Sequence, residues 1–335
     1  MDYITLGKTG IRSNRNGFGA LPIQRVSEET AVTILRKAYD NGITFFDTAR
    51  VYSDSEKKVG LALSDVRDKI VITTKTMTKT VEAFWEQLET SLSLLKTDYI
   101  DVYQFHNPAY CPRPGDEAGL YDAMLEAKAQ GKIRRIGITN HRLDVAIEAA
   151  QSGLYETVQY PLSYLATERE LEFVRMCGEL GVGIIAMKAL SGGLITNSAA
   201  AYSFFSQFDH VIPIWGIQRE SELDEFLAFH DNPPTLDEAN LRAIASDKET
   251  LAGDFCRGCG YCLPCPAGVD IAAVTRCLDT AILNEAAIPK AVTERYAALK
   301  NSAEACTECG SCDRRCPFGV PAKENMHKAK LLFGA

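Results

Sequence analysis

Over residues 1–230 the chain alternates short β-branched and aromatic runs with longer stretches in which apolar residues recur every three or four positions. The short runs predict strands at 16–20, 43–46, 70–75, 99–105, 133–138, 156–160, 182–187 and 210–214. The stretches between them predict helices near 28–41, 55–64, 80–95, 116–130, 142–152, 168–180, 198–207 and 219–230. At 28–41 the signals agree. Ser27 can cap, Glu28 and Glu29 suit the positive helix end, Val32, Leu35 and Tyr39 recur at helical spacing, and Asn41-Gly42 stops the helix. Eight strands, each followed by a helix, predict an α/β (β/α)8 TIM barrel. The segments Tyr3–Leu6 and Ile11–Ser13, joined by Gly7-Lys8-Thr9-Gly10, predict a hairpin plugging the barrel bottom.

The pattern changes at Asn232-Pro233-Pro234, where proline cannot continue a helix. This divides the chain into a barrel at 1–232 and a smaller domain at 233–335. The smaller domain has a polar helix at about 236–250 and helical patterning near 270–284 and 290–301.

That second domain holds eight of the eleven cysteines, in two runs. Cys306, Cys309, Cys312 and Cys316, followed by Pro317, read C-x2-C-x2-C-x3-C-P, the bacterial ferredoxin pattern for a [4Fe–4S] cluster. Cys256, Cys259, Cys262 and Cys265, followed by Pro266, repeat it with one residue fewer before the last cysteine. Zinc sites usually separate two C-x2-C pairs by a longer stretch, so iron–sulfur is favoured over zinc. The domain resembles a small all-α ferredoxin-like module with two [4Fe–4S] clusters. In two-cluster ferredoxins the fourth cysteine of each run serves the other cluster. By that resemblance one cluster takes Cys256, Cys259, Cys262 and Cys316, and the other Cys306, Cys309, Cys312 and Cys265. Cys111, Cys177 and Cys277 lie outside the runs and read as small apolar residues.

Composition narrows the function classes. The formal charge of −8 disfavours nucleic acid and anionic membrane surfaces as partners. No stretch approaches the roughly 18 apolar residues of a spanning helix. The N-terminal residues lack a basic region followed by an apolar run, so no secretory signal is expected. Clustered cysteines favour metal ligation over disulfides and a reducing cytoplasm.

Working residues of barrel enzymes sit at the C-terminal ends of the strands. Strand 2 ends in Phe46-Asp47-Thr48-Ala49-Arg50-Val51-Tyr52, strand 3 in Thr74-Lys75 and strand 4 in Phe105-His106-Asn107. Asp47, Tyr52, Lys75 and His106 could therefore converge at one mouth. A tyrosine is a poor acid at neutral pH, but a neighbouring lysine cation favours tyrosinate. A carboxylate would hold that lysine charged and oriented, and a histidine could polarise a carbonyl oxygen.

With Gly17-Phe18-Gly19, Asp47-Thr48-Ala49, Tyr52, Lys75, Phe105-His106, Gly137-Ile138-Thr139-Asn140, Gln159 and Ile212-Pro213, residues 1 to about 230 resemble the aldo-keto reductases. The whole chain resembles the ferredoxin-tailed branch of that family. The resemblance implies NADP or NAD, a small-molecule carbonyl substrate, Tyr52 as proton donor, Lys75 and Asp47 tuning it, and His106 orienting the substrate. It also implies that Thr139, Asn140 and Gln159 bind the nicotinamide carboxamide. Met187, Lys188, Leu190 and Gly192 follow strand 7, with Met187 where a stacking aromatic is usual and Ser191-Gly192-Gly193 cradling the pyrophosphate. Gly216, Gln218, Arg219, Glu222 and Glu225 follow strand 8 at the adenosine end. There Phe226 replaces the usual asparagine, and Arg219 is the one basic candidate for a 2′-phosphate. The cluster domain stands where a substrate-specificity loop is usual.

Hydride travels as an electron pair, whereas a [4Fe–4S] cluster passes single electrons, and a flavin commonly mediates between the two. A flavin is compatible with a barrel but no motif indicates one. Three readings stay open. The first is a nicotinamide-dependent carbonyl reductase or alcohol dehydrogenase whose clusters are structural or an electron port to an electron-transfer protein. The second is a reductase fed by the clusters, with or without flavin. The third is a non-catalytic redox sensor or electron carrier on an inherited barrel. The complete set of four polar residues favours the first. Trp215 faces either the core or the cofactor.

Overall fold

The computed structural model describes residues 3–251, 256, 262–282, 288–316 and 319–334. Tyr3–Thr5 (β1) and Arg12–Asn14 (β2) form an antiparallel hairpin. Eight parallel strands then close a barrel in chain order: Gly17–Gly19 (β3), Phe45–Asp47 (β4), Val71–Thr76 (β5), Ile100–His106 (β6), Ile133–Thr139 (β7), Thr157–Pro161 (β8), Gly183–Met187 (β9) and Val211–Gly216 (β10). Closure comes from β10 pairing with β3, with Ile214 opposite Gly17. The expected (β/α)8 barrel is therefore present.

The helices Glu28–Asp40 (α1), Ser55–Leu63 (α2), Val81–Leu95 (α3), Leu120–Ala129 (α4), Leu143–Gln151 (α5), Glu168–Leu180 (α6), Ser198–Phe205 (α7) and Glu220–Asp231 (α8) follow the strands in turn. Ser27 caps α1, its hydroxyl accepting from the Thr30 amide. The helix expected at 116–130 begins only at Leu120, because Gly119 takes a positive φ of 62° that a helix interior cannot hold. The hairpin plugs the barrel as its pattern implied. Lys8 N–H donates to the Gly181 carbonyl at 2.7 Å, and Leu6 is buried with Phe45, Ile185 and Ile212.

Close packing of α2 on α3 depends on Gly60. A Cβ there would meet the Leu94 carbonyl oxygen at 2.1 Å. Gly60→Ala must push the helices apart, and overpacking of this kind costs about 1–3 kcal/mol. The expected result is a fall of about 5 °C in the barrel's melting midpoint. A midpoint within about 1 °C of the parent would show that the two helices part freely.

The chain forms two compact units, one ending at Ile244 and one starting at Ala245. The proline break after Asn232 ends α8, but Leu236, Ala243 and Ile244 still pack on the barrel's core. The unit division therefore falls within helix Glu238–Thr250 (α9), later than the 232/233 boundary read from the prolines. In the second unit Ile271–Ile282 (α10), Lys290–Ala297 (α11), Ser311–Arg315 (α12) and Ala322–Phe333 (α13) enclose a small core of Val274, Leu278, Tyr296 and Met326. The sequence pattern did not single out α12 or α13. No helix among the described residues is long and apolar enough to cross a membrane.

Candidate active site

Parallel pairing carries Asp47, Lys75 and His106 to the C-terminal ends of adjacent strands β4, β5 and β6. The chain beyond β4 stays beside β5: Thr48 N–H donates to Thr73 O at 2.8 Å and Arg50 N–H to Lys75 O at 3.1 Å. It then turns, with Tyr52 N–H donating to Ala49 O at 3.0 Å. This turn brings the Tyr52 ring over Lys75, whose Nζ lies 5.1 Å from the ring centroid. His106 meets the same ring edge-on, with centroids 5.8 Å apart and planes at 86°. All four residues are brought together.

Lys75 is fully buried, and burial pushes its pKa down while Asp47 opposes the shift. Its ammonium donates to Asp47 Oδ1 at 2.9 Å, Asp47 Oδ2 at 2.7 Å and Thr48 O at 2.5 Å. All three of its donors are therefore satisfied, which a buried cation requires. Asp47 also accepts from Thr73 Oγ1 at 2.6 Å and Gln159 Nε2 at 3.2 Å.

Burial, assisted by the Lys75 charge, pushes the His106 pKa down to about 3. The imidazole is thus neutral at physiological pH, the form able to donate one hydrogen bond and accept another. Its Nδ1 is buried with no hydrogen-bond partner among the described residues. Unfolded, this side chain takes its proton near pH 6.5. The unfolded state therefore binds the extra proton between that pH and about 3, and stability present at neutral pH is lost as pH falls through the window. By pH 5 the loss should reach about 2 kcal/mol. His106→Gln should flatten that part of the melting-midpoint profile; an unchanged acid slope would refute the assignment.

The strand pattern carries a polar residue that the sequence reading passed over. Gln104 lies two positions before His106 on β6, so strand alternation puts both on the inward face. Its Nε2 donates to Gln159 Oε1 at 2.8 Å, and its Oε1 accepts from Thr139 Oγ1 at 3.1 Å. Thr139 and Gln159 thus belong to a buried relay that ends on Asp47. The Asn140 side chain donates to Pro108 O and accepts from Arg142 N–H, each at 2.8 Å. Arg50 is a second such residue. It pairs with the buried Glu56, which also accepts from Thr74 Oγ1 at 2.6 Å and Ser91 Oγ at 2.8 Å.

After β9, Met187 is buried among Ile185, Ile212 and Ile214. Lys188, Ser191, Gly192 and Gly193 all take positive φ, coiling the loop after Met187. Gly216 ends β10. Trp215 faces the core: it is 1% exposed, stacks on Phe226 with centroids 4.3 Å apart, and donates its indole N–H to Asn16 Oδ1 at 3.0 Å. The Phe226 that replaces a polar residue is therefore a core residue. Glu225 accepts from Ser198 Oγ at 2.5 Å, tying the start of α7 to α8. Glu222 caps α8 through Gln218 and Arg219.

In the second unit one cavity is lined by Cys306, Cys309, Cys312 and Cys265, with Arg315 and Lys323 at its wall. Three of the four thiols come from one run and the fourth from the other. Arg315 Nη2 donates to Pro264 O at 2.9 Å, joining the two runs, and Glu308 N–H donates to Cys306 Sγ at 3.4 Å. No three His, Cys, Asp or Glu among the described residues are close enough to hold a single metal ion. Four thiols around a cavity, with an N–H aimed at one sulfur, suit an iron–sulfur cluster. Cys256 is placed by its N–H, which donates to Asp279 Oδ2 at 3.2 Å. Cys262 and Cys316 are half-buried, and Cys259 lies outside the described residues.

A closed barrel with a Lys–Asp pair beneath a tyrosine at the C-terminal mouth is the architecture of a barrel oxidoreductase. The chain belongs to the aldo/keto reductase family, whose model matches residues 15–238. A 4Fe-4S dicluster domain matches residues 255–321. Among curated relatives, the aldo-keto reductase YhdN of Bacillus subtilis is 31% identical over 59% of this chain and 64% of its own length. The NADH-specific methylglyoxal reductase of Escherichia coli is 28% identical over 59% of this chain and 70% of its own. The chain thus spans about two thirds of each. An aldo-keto reductase from Klebsiella pneumoniae, solved in complex with NADPH, shares the fold with a TM-score of 0.63 at 21% identity, covering 73% of this chain and 95% of that one.

Proposed function

We propose that the chain reduces a small carbonyl compound with a nicotinamide nucleotide, or oxidises the corresponding alcohol, with Tyr52 as proton donor. The observation that carries this reading is the fully buried Lys75–Asp47 pair directly beneath the Tyr52 ring. The nucleotide, when bound, supplies the hydride. Lys75, held charged by Asp47, favours tyrosinate and so makes the Tyr52 hydroxyl a better acid. Neutral His106 orients the carbonyl oxygen toward that hydroxyl. The Thr139–Gln104–Gln159 relay fixes the Asp47 carboxylate from the barrel interior, while Asn140, Leu190 and Gly192 are candidates to line the nucleotide.

In the second unit Cys306, Cys309, Cys312 and Cys265 would hold one [4Fe–4S] cluster, and Cys256, Cys259, Cys262 and Cys316 the other. Such clusters pass single electrons and would give the enzyme a port to an electron-transfer protein. The Glu308 N–H and the Arg315 and Lys323 cations would tune a cluster held there through hydrogen bonding and charge.

The test is anaerobic, cluster-loaded protein mixed with NADH or NADPH and a carbonyl. A relative is named a methylglyoxal reductase, so methylglyoxal is the first carbonyl to try. Nucleotide oxidation that depends on the carbonyl supports the reading. A protein that binds neither nucleotide refutes it. Iron, sulfide and flavin analysis of the same sample decides whether two clusters are present and whether flavin takes part.

A further inference from the structure

TIM barrels commonly bind phosphate with the loops after their seventh and eighth strands and an adjoining helix N-terminus. Here those strands are β9 and β10, and the two loops differ. After β9, Ser191-Gly192-Gly193 is coiled by positive φ angles, and a Cβ on Gly193 would meet nothing within 4 Å. That loop presents backbone with open space beside it. After β10, the 12-residue helix α8 begins with Arg219 as its cap. Two backbone amides and a guanidinium converge there on one point, and a carboxylate of the chain already fills it. Glu222 Oε2 accepts from Gln218 N–H at 2.9 Å and Arg219 N–H at 3.1 Å. Glu222 Oε1 accepts from Arg219 Nε at 2.9 Å and Nη2 at 2.5 Å.

Glu225, one turn further along α8, is bonded to Ser198 at the start of α7. The same face of α8 therefore looks toward the segment that follows the β9 loop. A dinucleotide whose pyrophosphate lies on the β9 loop would bring its adenosine ribose to this face.

We infer that Glu222 makes the nucleotide site selective for NAD(H) over NADP(H). This rests on the nicotinamide reading above. A 2′-phosphate arriving at α8 would have to displace Glu222 from Arg219 and both amides, and would then stand beside its negative charge. A 2′-hydroxyl meets no such conflict and can donate to the carboxylate, whose remaining lone pairs are free to accept. An acidic side chain accepting from the ribose 2′-hydroxyl, against an arginine accommodating a 2′-phosphate, is a general means of separating the two nucleotides. Arg219, the one basic candidate for the phosphate, has its Nε and Nη2 engaged by Glu222, so the pair offers no net positive charge there.

The test is direct binding of NADH and NADPH to the anaerobic, cluster-loaded full chain, by nucleotide fluorescence or calorimetry. NADH should bind at least about tenfold tighter. Glu222→Gln should tighten NADPH and weaken NADH, bringing the ratio close to one. Arg219→Ala should not weaken NADPH, because the guanidinium does not serve the phosphate. Equal or tighter NADPH binding by the parent would overturn the inference while leaving the nicotinamide reading in place. So would a tenfold loss of NADPH affinity in Arg219→Ala. Binding of neither nucleotide would overturn both.

Discussion

Tyr52→Phe is expected to lower the turnover number for carbonyl reduction by about a thousandfold or more, while the Kd for the nucleotide stays within a few-fold. A positioned acid contributes roughly 10²–10⁴ in rate, and phenylalanine keeps the ring while removing the only proton that Tyr52 can give. The ring lies over Lys75 and against His106, so the variant preserves the packing of both. The residual rate should also lose the pH dependence contributed by the tyrosine–lysine pair. Steady-state kinetics across pH, with nucleotide binding measured separately, makes the check. Turnover within tenfold of the parent would assign proton delivery to another group, and the reading of Tyr52 would fall.

Asp47→Ala should be the most damaging single change to the barrel itself. It strips the counter-ion from a lysine that is fully buried, and removing one partner of a buried pair typically costs about 3–5 kcal/mol. It also leaves the Gln159 amide and the Thr73 hydroxyl without their acceptor. The expected fall in melting midpoint is about 10 °C for a unit of this size. Burial already pushes the Lys75 pKa down, so a chain without Asp47 relieves the strain by releasing the lysine proton. That neutral amine no longer favours tyrosinate, and activity is lost with stability. The double variant Asp47→Leu with Lys75→Met removes both charges and should recover the part of the melting temperature that the unpaired lysine costs, though not the part owed to the Gln159 and Thr73 donors, with none of the activity. A single Asp47→Ala variant melting within about 2 °C of the parent would show that the pair is not the structural tie described here.

The arrangement of strands was legible because each strand and helix carries its own period and its own stops. The hairpin plug, the α1 cap and the order of the eight strands follow from local patterns. The four residues Asp47, Tyr52, Lys75 and His106 could be proposed together because strand ends in a parallel barrel share one mouth. Where the reading of elements slipped, a local cause is visible. Gly119 shortens α4. In the second unit the Ala322, Met326, Ala329 spacing of α13 is present in the sequence, just beyond the cysteines. Gln104 was readable in principle, as a lone amide at strand period from His106.

Other features depended on distant residues meeting. Nothing near Glu222 in sequence says whether its carboxylate turns to a ligand or back to Arg219. Trp215 is compatible with core or cofactor by sequence, and its contacts with Phe226 and Asn16 place it in the core. The unit division at Ile244 was set by which core α9 packs on, and the prolines at 233 and 234 carry no information about that.

By itself, then, the sequence determined the element order, the candidate chemistry at the strand ends, and two runs of cysteines at iron–sulfur spacing. These are written in periodicity and spacing, which are local properties. The tertiary structure alone decided which buried amides serve Asp47, that Cys265 shares a cavity with Cys306, Cys309 and Cys312, and that Tyr52 lies over Lys75. Hydrogen bonds and charge pairs act only at contact distance, and contact between residues far apart in the chain exists only once the barrel has closed.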